Sequence, residues 1–170
     1  MTAFVALLRA VNVGGRKLVM TDLKAVADGL GLGAAKTYIA SGNLLFTSTN
    51  SEGEVKVMLE AALTKHMGKP VGVMVRTAKE MAAVAAANPF ANQPGNRVVA
   101  FFLDDAPPKE AAEMAKNVTD ERMALGRREI YVHYPSGQGE SKLRIPAAAN
   151  GTARNMNTVL KLAELAEEMA

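Results

Sequence analysis

The chain contains no cysteine. Disulfides, thiolate nucleophiles and cysteine-ligated metal sites are therefore excluded, and the expected setting is cytoplasmic. There is no tryptophan, and aromatic residues make up only 5% of the chain. That is too sparse for the aromatic stacking platform of an RNA-binding sheet. Histidine occurs twice, at positions 66 and 133, so a nucleophile has few bases to pair with. Metal-ligand spacing is absent. No apolar run approaches the roughly 20 residues of a membrane span, so no membrane partner is expected. The N-terminus lacks a basic segment followed by a small-residue cleavage site, which argues against a signal peptide.

What is present is an ordinary globular composition: 170 residues, 49% hydrophobic and 22% charged, with a net charge of +3. The charge is uneven. Residues 1–85 carry 10 Lys/Arg against 6 Asp/Glu, and residues 86–170 carry 10 against 11. A mildly basic chain permits an anionic partner without declaring a nucleic-acid binder.

The most informative stretch is residues 3–17. AFVALL at 3–8 is an unbroken bulky apolar run, too short for a helix, and reads as a buried strand. Arg9 ends it. Asn12, Gly14, Gly15, Arg16 and Lys17 follow, so a rigid strand delivers a guanidinium and a glycine-rich basic loop to a sheet end. Glycines let successive backbone N–H groups face an anion. The loop matches neither a Walker lysine-serine pair nor a full dinucleotide fingerprint.

The remaining pattern predicts a helix at 20–32 capped by Thr21, then strands at 36–40 and 44–47 joined by a tight Ser41-Gly42-Asn43 turn. A helix capped by Ser51 and stopped by Gly68 follows, then a strand at 71–76. This order is β-α-β-β-α-β, a ferredoxin-like half. Thr77 and Glu80 cap a further helix at 78–87. NQPGN at 92–96 is the boundary by composition, giving halves at 1–91 and 92–170. The second half reads as a strand at 98–103, a helix at 108–116, strands at 122–125 and 129–134, a loop at 135–151 and a closing helix at 155–168. The expected fold is α+β: two ferredoxin-like halves in tandem, the second degenerate, closed by a C-terminal helix.

Four constellations carry possible chemistry. Arg9 with the 12–16 loop is one. Arg154 and Asn155, at the start of the last helix, are the second, because a helix N-terminus attracts anions. Asn155 is equally an N-cap. The third is Ser41 and Asn43, which offer polar contacts. A Ser-His pair is not supported, since His66 falls on an apolar helix face and His133 alternates with Tyr131 in a strand. The fourth, Arg127, Arg128, Lys142 and Arg144, suits either a phosphate-tracking surface or a solvated turn.

LLRAVNVGG (7–15), Asp22-Leu23, TYIASGNLLF (37–46) and TARNMNTVLKLAEL (152–165) closely resemble the signature segments of the domain of unknown function 1697 family. That pattern usually has glycine at the position of Ala10 and tryptophan at that of Met156. The resemblance implies a tandem of two ferredoxin-like α+β halves and supplies no catalytic residue. Its signature polar positions map onto Arg9, Asn12, Gly14, Gly15, Ser41, Gly42, Asn43, Arg154, Asn155 and Asn157.

The expected function is binding of a small phosphate- or nucleotide-like anion between the end of the first strand and the start of the last helix. The ligand-facing residues would be Arg9, Asn12, Gly14, Gly15, Arg16, Ser41, Asn43, Arg154, Asn155 and Asn157. Nucleic-acid binding and an enzyme of unassigned reaction are the alternatives. No cofactor is implied.

Overall fold

A computed structural model of the chain describes residues 1–9 and 17–170. Asn12, Gly14, Gly15 and Arg16 lie outside the described residues. The chain divides into two compact units, one formed by residues 1–82 with 162–170 and the other by residues 83–161. The 92–96 linker lies inside the second.

The first unit is built on an antiparallel sheet of β1 (Thr2–Leu8), β2 (Gly33–Thr37), β3 (Asn43–Ser48) and β4 (Val73–Thr77), in the order β2-β3-β1-β4. Residues Ala3 to Leu8 of β1 are all buried, which is why the run is apolar without alternation. Phe4, Ala6 and Leu8 share one core with Leu44, Phe46, Val73 and Val75. Two helices contribute to that core: α1 (Met20–Gly29) through Leu23 and Ala27, and α2 (Glu52–Met67) through Val55, Leu59 and Leu63. The Phe4 and Phe46 rings stack inside it, 5.6 Å between centroids. α2 has a complete capping box: Glu54 N–H donates to Ser51 Oγ, and Ser51 N–H donates to Glu54 Oε1. Gly68 ends it in the left-handed conformation, φ 69°. β4 is an edge strand, and α2 covers part of that edge: Val73 N–H donates to Glu60 Oε2, and Lys56 Nζ donates to Val73 O.

The helix α3 (Ala78–Ala86) follows β4 directly, with Thr77 and Glu80 exchanging the expected capping bonds. It spans the division between the units.

The second unit is built on β5 (Val98–Phe102), β6 (Arg122–Leu125), β7 (Glu129–His133) and β8 (Thr152–Asn155). The order is β6-β7-β5-β8, again antiparallel throughout. Substituting fifth for first, sixth for second and so on reproduces the order of the first sheet. One face is a core of Val99, Leu103, Ile130, Val132 and Tyr134. Here, however, the connections covering the sheet are turns and short 3-10 segments. They bring Ala111, Leu143, Ile145 and Ala148 onto that core.

Three expectations are corrected. Residues 108–116 form turns rather than a helix. The single bond from Met114 N–H to Glu110 O does not propagate, and Lys116 instead exchanges two backbone bonds with Arg144. Thr152–Asn155 is a strand rather than the start of a helix, because it pairs with β5 along its length. The final helix α4 is Met156–Met169 and also crosses between the units. Finally, α1 begins at Met20, behind Val19, which offers no side-chain cap. Thr21 is inside the helix.

Candidate functional site

Three connections meet at the C-terminal end of β1. The antiparallel registers set Leu7 opposite Asn43 and Leu8 opposite Val73. Leu8 N–H then donates to Gly42 O at 2.8 Å, and Arg9 N–H donates to Gly72 O at 2.8 Å. So the sheet register brings Arg9 and the Ser41-Gly42-Asn43 segment together from positions more than 30 residues apart. The stem of Arg9 lies over Gly72; a Cβ added there would meet the Arg9 Cβ and Cδ at 3.5 and 3.6 Å. Those are ordinary van der Waals distances, so the arginine stem packs on the backbone of residue 72.

The β2–β3 connection is longer than the tight hairpin expected. It covers residues 38–42 and has two left-handed positions, Ile39 at φ 51° and Gly42 at φ 90°. For a β-branched residue, a positive φ is strained. Ile39 also stands 48% exposed. Asn43 holds the turn from inside. It is fully buried, and its Nδ2 donates to Tyr38 O and to Ser41 Oγ, each at 2.9 Å. Asn43 is thus an internal brace, while Ser41 stands exposed beside it.

In the second unit, Arg154 is 6% exposed, and it sits on β8 opposite Ala100 of β5. Its Nη1 donates to Thr152 Oγ1 at 2.7 Å and to Ala153 O at 2.9 Å. Burial pushes its guanidinium down to about 10. Asn155 caps α4: its Oδ1 accepts from Thr158 N–H at 3.0 Å. Asn157 is exposed, with its Oδ1 set against Gly95 so closely that a Cβ there would lie 2.1 Å from it. Of the expected ligand-facing residues, Arg9, Ser41 and Asn43 share one sheet end. Arg154, Asn155 and Asn157 belong to the β8–α4 junction. The geometry for each group is internal to its own unit.

Arg76 was missed by the sequence reading. It is 1% exposed, on β4 opposite Val5, and its Nη1 donates to Val75 O at 2.9 Å. Arg76 and Arg154 are both the penultimate residue of the fourth strand of their sheet. Each donates to the carbonyl just before it, and each precedes a capping residue and a helix. The signal was available as VRT before one helix and ARN before another.

His66 is exposed at the end of α2, its Nε2 3.6 Å from Asp22 Oδ2, so it does not occupy the apolar face. His133 is half-buried against Phe90, 5.7 Å between ring centroids. Among the described residues, no group of three or more His, Asp or Glu side chains is arranged to hold a metal ion. Nor is any helix among them long and apolar enough to cross a membrane.

These features define an α+β protein with two four-stranded antiparallel sheets and a C-terminal helix. The chain belongs to the family described as protein of unknown function DUF1697, whose model matches residues 1–131. It is similar in structure to a conserved bacterial protein from Streptococcus pneumoniae, with a TM-score of 0.82 at 25% identity over 98% of this chain and 99% of that one. No curated protein matches this chain.

Proposed function

We propose that the C-terminal end of β1 binds a small anionic ligand, with a phosphate- or nucleotide-like group as the recognised moiety. The supporting observation is the convergence of Arg9 with the Ser41-Gly42-Asn43 turn through the Leu8–Gly42 and Arg9–Gly72 backbone bonds. Arg9 supplies charge and a planar donor fork. Ser41 supplies an exposed hydroxyl, held in place by the buried Asn43 amide. The strained, exposed Ile39 borders the same turn, as backbone strain often does at binding sites. Asn12, Gly14, Gly15 and Arg16, also expected to face the ligand, follow Arg9 in the chain and lie outside the described residues. Arg154 and Asn155 belong to the β8–α4 junction, and the reading rests on the Arg9 side, where the sheet register gathers the residues.

The shared strand order and the repeated arginine-then-cap step support reading the halves as ferredoxin-like repeats, with a second copy whose crossover helices have been replaced by turns. The lack of cysteine supports a cytoplasmic setting.

Thermal shift and calorimetry with inorganic phosphate, nucleotides and phosphosugars test the binding reading. A ligand at 100 times its Kd stabilises a protein by about 2.7 kcal/mol. Arg9→Ala is expected to weaken that ligand about tenfold or more, the loss of one charge-assisted contact. If no compound stabilises wild type more than Arg9→Ala, the proposal is wrong. Binding to RNA or DNA that falls steeply with salt would favour a nucleic-acid partner instead.

A further inference from the structure

The second unit has a polar cavity of about 450 Å³ whose lining includes none of the residues discussed above as ligand-facing. Its walls come from two connections, 119–121 before β6 and 134–141 after β7. Asp120, Glu121 and Glu140 contribute carboxylates, and Thr119, Ser136 and Ser141 contribute hydroxyls. The arrangement is built rather than accidental. Glu121 is buried and accepts from Ser141 Oγ, from Thr119 N–H at 2.7 Å and from Thr119 Oγ1. Ser136 Oγ donates to Asp120 Oδ2 at 2.6 Å. Ser141 Oγ also accepts from Leu143 N–H, which fixes the rim.

The second observation is Tyr134. It is 4% exposed, its residue belongs to the core beneath, and it lines this cavity. Its hydroxyl has no hydrogen-bond partner among the described residues. It is close enough to Glu121 for that carboxylate, after burial, to push the phenol up to about 12, so it stays a donor. A buried phenol without a partner is costly and uncommon, and the cavity is where a partner would sit.

We propose that this cavity binds a small organic cation, a compound bearing a primary ammonium or guanidinium group. The anionic walls select positive charge. Glu121 stays ionised because Ser141 and Thr119 hydrogen-bond its charged form. An ammonium donates to several oxygens at once, matching Glu140, Asp120 and the serine oxygens. Tyr134 gives or takes one further bond. A compact metal site is not the reading, since the carboxylates do not converge on a point. The rim continues toward a neighbouring hollow lined by Phe90, His133 and Arg122, which shares Asp120. A cation with an attached planar or anionic group would reach it.

Calorimetry with agmatine, putrescine, spermidine and arginine tests this, with glycerol and inositol as neutral controls. At least one cation is expected to bind saturably. Glu140→Gln is expected to weaken it about tenfold, one lost charge-assisted contact. Tyr134→Phe is expected to weaken it similarly while leaving the melting temperature of the ligand-free protein unchanged or raised. A marked fall in that temperature would mean the hydroxyl already has a partner, and would overturn the proposal. Equal binding of the neutral controls, or cation binding that both variants retain in full, would do the same. Arg9→Ala is expected to leave cation binding intact, which separates this site from the anion-binding reading.

Discussion

Residue chemistry here turns on which polar side chains are spent inside the protein. Asn43, Arg76 and Arg154 are all buried, and each braces its own turn or strand end through carbonyl or hydroxyl partners. Arg9 is half-buried at a strand end, with its stem on Gly72 and its backbone N–H on Gly72 O. The sequence alone offers Arg9, at the end of an apolar strand, and Arg154, at the expected start of a helix, as candidates of equal standing. Burial distinguishes them, and burial is not a local property. Glu121 gives a pH prediction at this scale. The Ser141 hydrogen bond, followed by the Thr119 backbone bond, lowers its carboxyl from 4.5 to about 2. A depressed acid contributes stability that is fully present above pH 4.5 and is lost as pH falls through about 2. Acid unfolding of Glu121→Gln, followed by circular dichroism, is therefore expected to show a shallower decline between pH 4.5 and 2 than wild type. Identical slopes would remove Glu121 from the account.

At the scale of elements, local signals succeeded where the element carries its own stops. The helix α2 was legible because Ser51 and Glu54 cap it and Gly68 terminates it. Ser51→Ala is expected to cost about 1 kcal/mol, the usual worth of such a cap. For a chain of this size that is a fall of about 2–4 °C in Tm, read by calorimetry. No change would mean the box adds nothing to the folded state. The opposite case is 108–116. Its lysines, glutamates and alanines favour a helix, yet it folds as turns, held by the Lys116–Arg144 backbone exchange. A nine-residue helix is marginal by itself, so two long-range backbone bonds are enough to prevail. β8 failed in the other direction. TARN has little strand character, but β5 is an apolar strand that would otherwise present an open edge.

Across the whole molecule, the first unit takes residues from both ends of the chain, 1–82 and 162–170. Leu162 and Ala166 are fully buried in that terminal segment. Leu162→Ala is expected to cost about 2–5 kcal/mol through the cavity it leaves. Hydrogen exchange should show the loss chiefly in the amides of the first unit. Faster exchange confined to residues 83–161 would contradict the division. The family match ends at residue 131, before the TARN segment and α4, while the structural similarity to the Streptococcus pneumoniae protein spans nearly all of the chain.

The sequence by itself determined the α+β class, the buried β1 run and the capped starts of α2 and α3. Those rest on short-range hydrophobic period, capping and glycine placement, which act between near neighbours. Only the tertiary structure decided that β8 is a strand, that 108–116 is not a helix, that Arg154 is enclosed, and that Tyr134 sits at a polar hollow. Each of those depends on which distant backbone supplies a hydrogen bond and which side chain loses its water, and neither is written in any single stretch of residues.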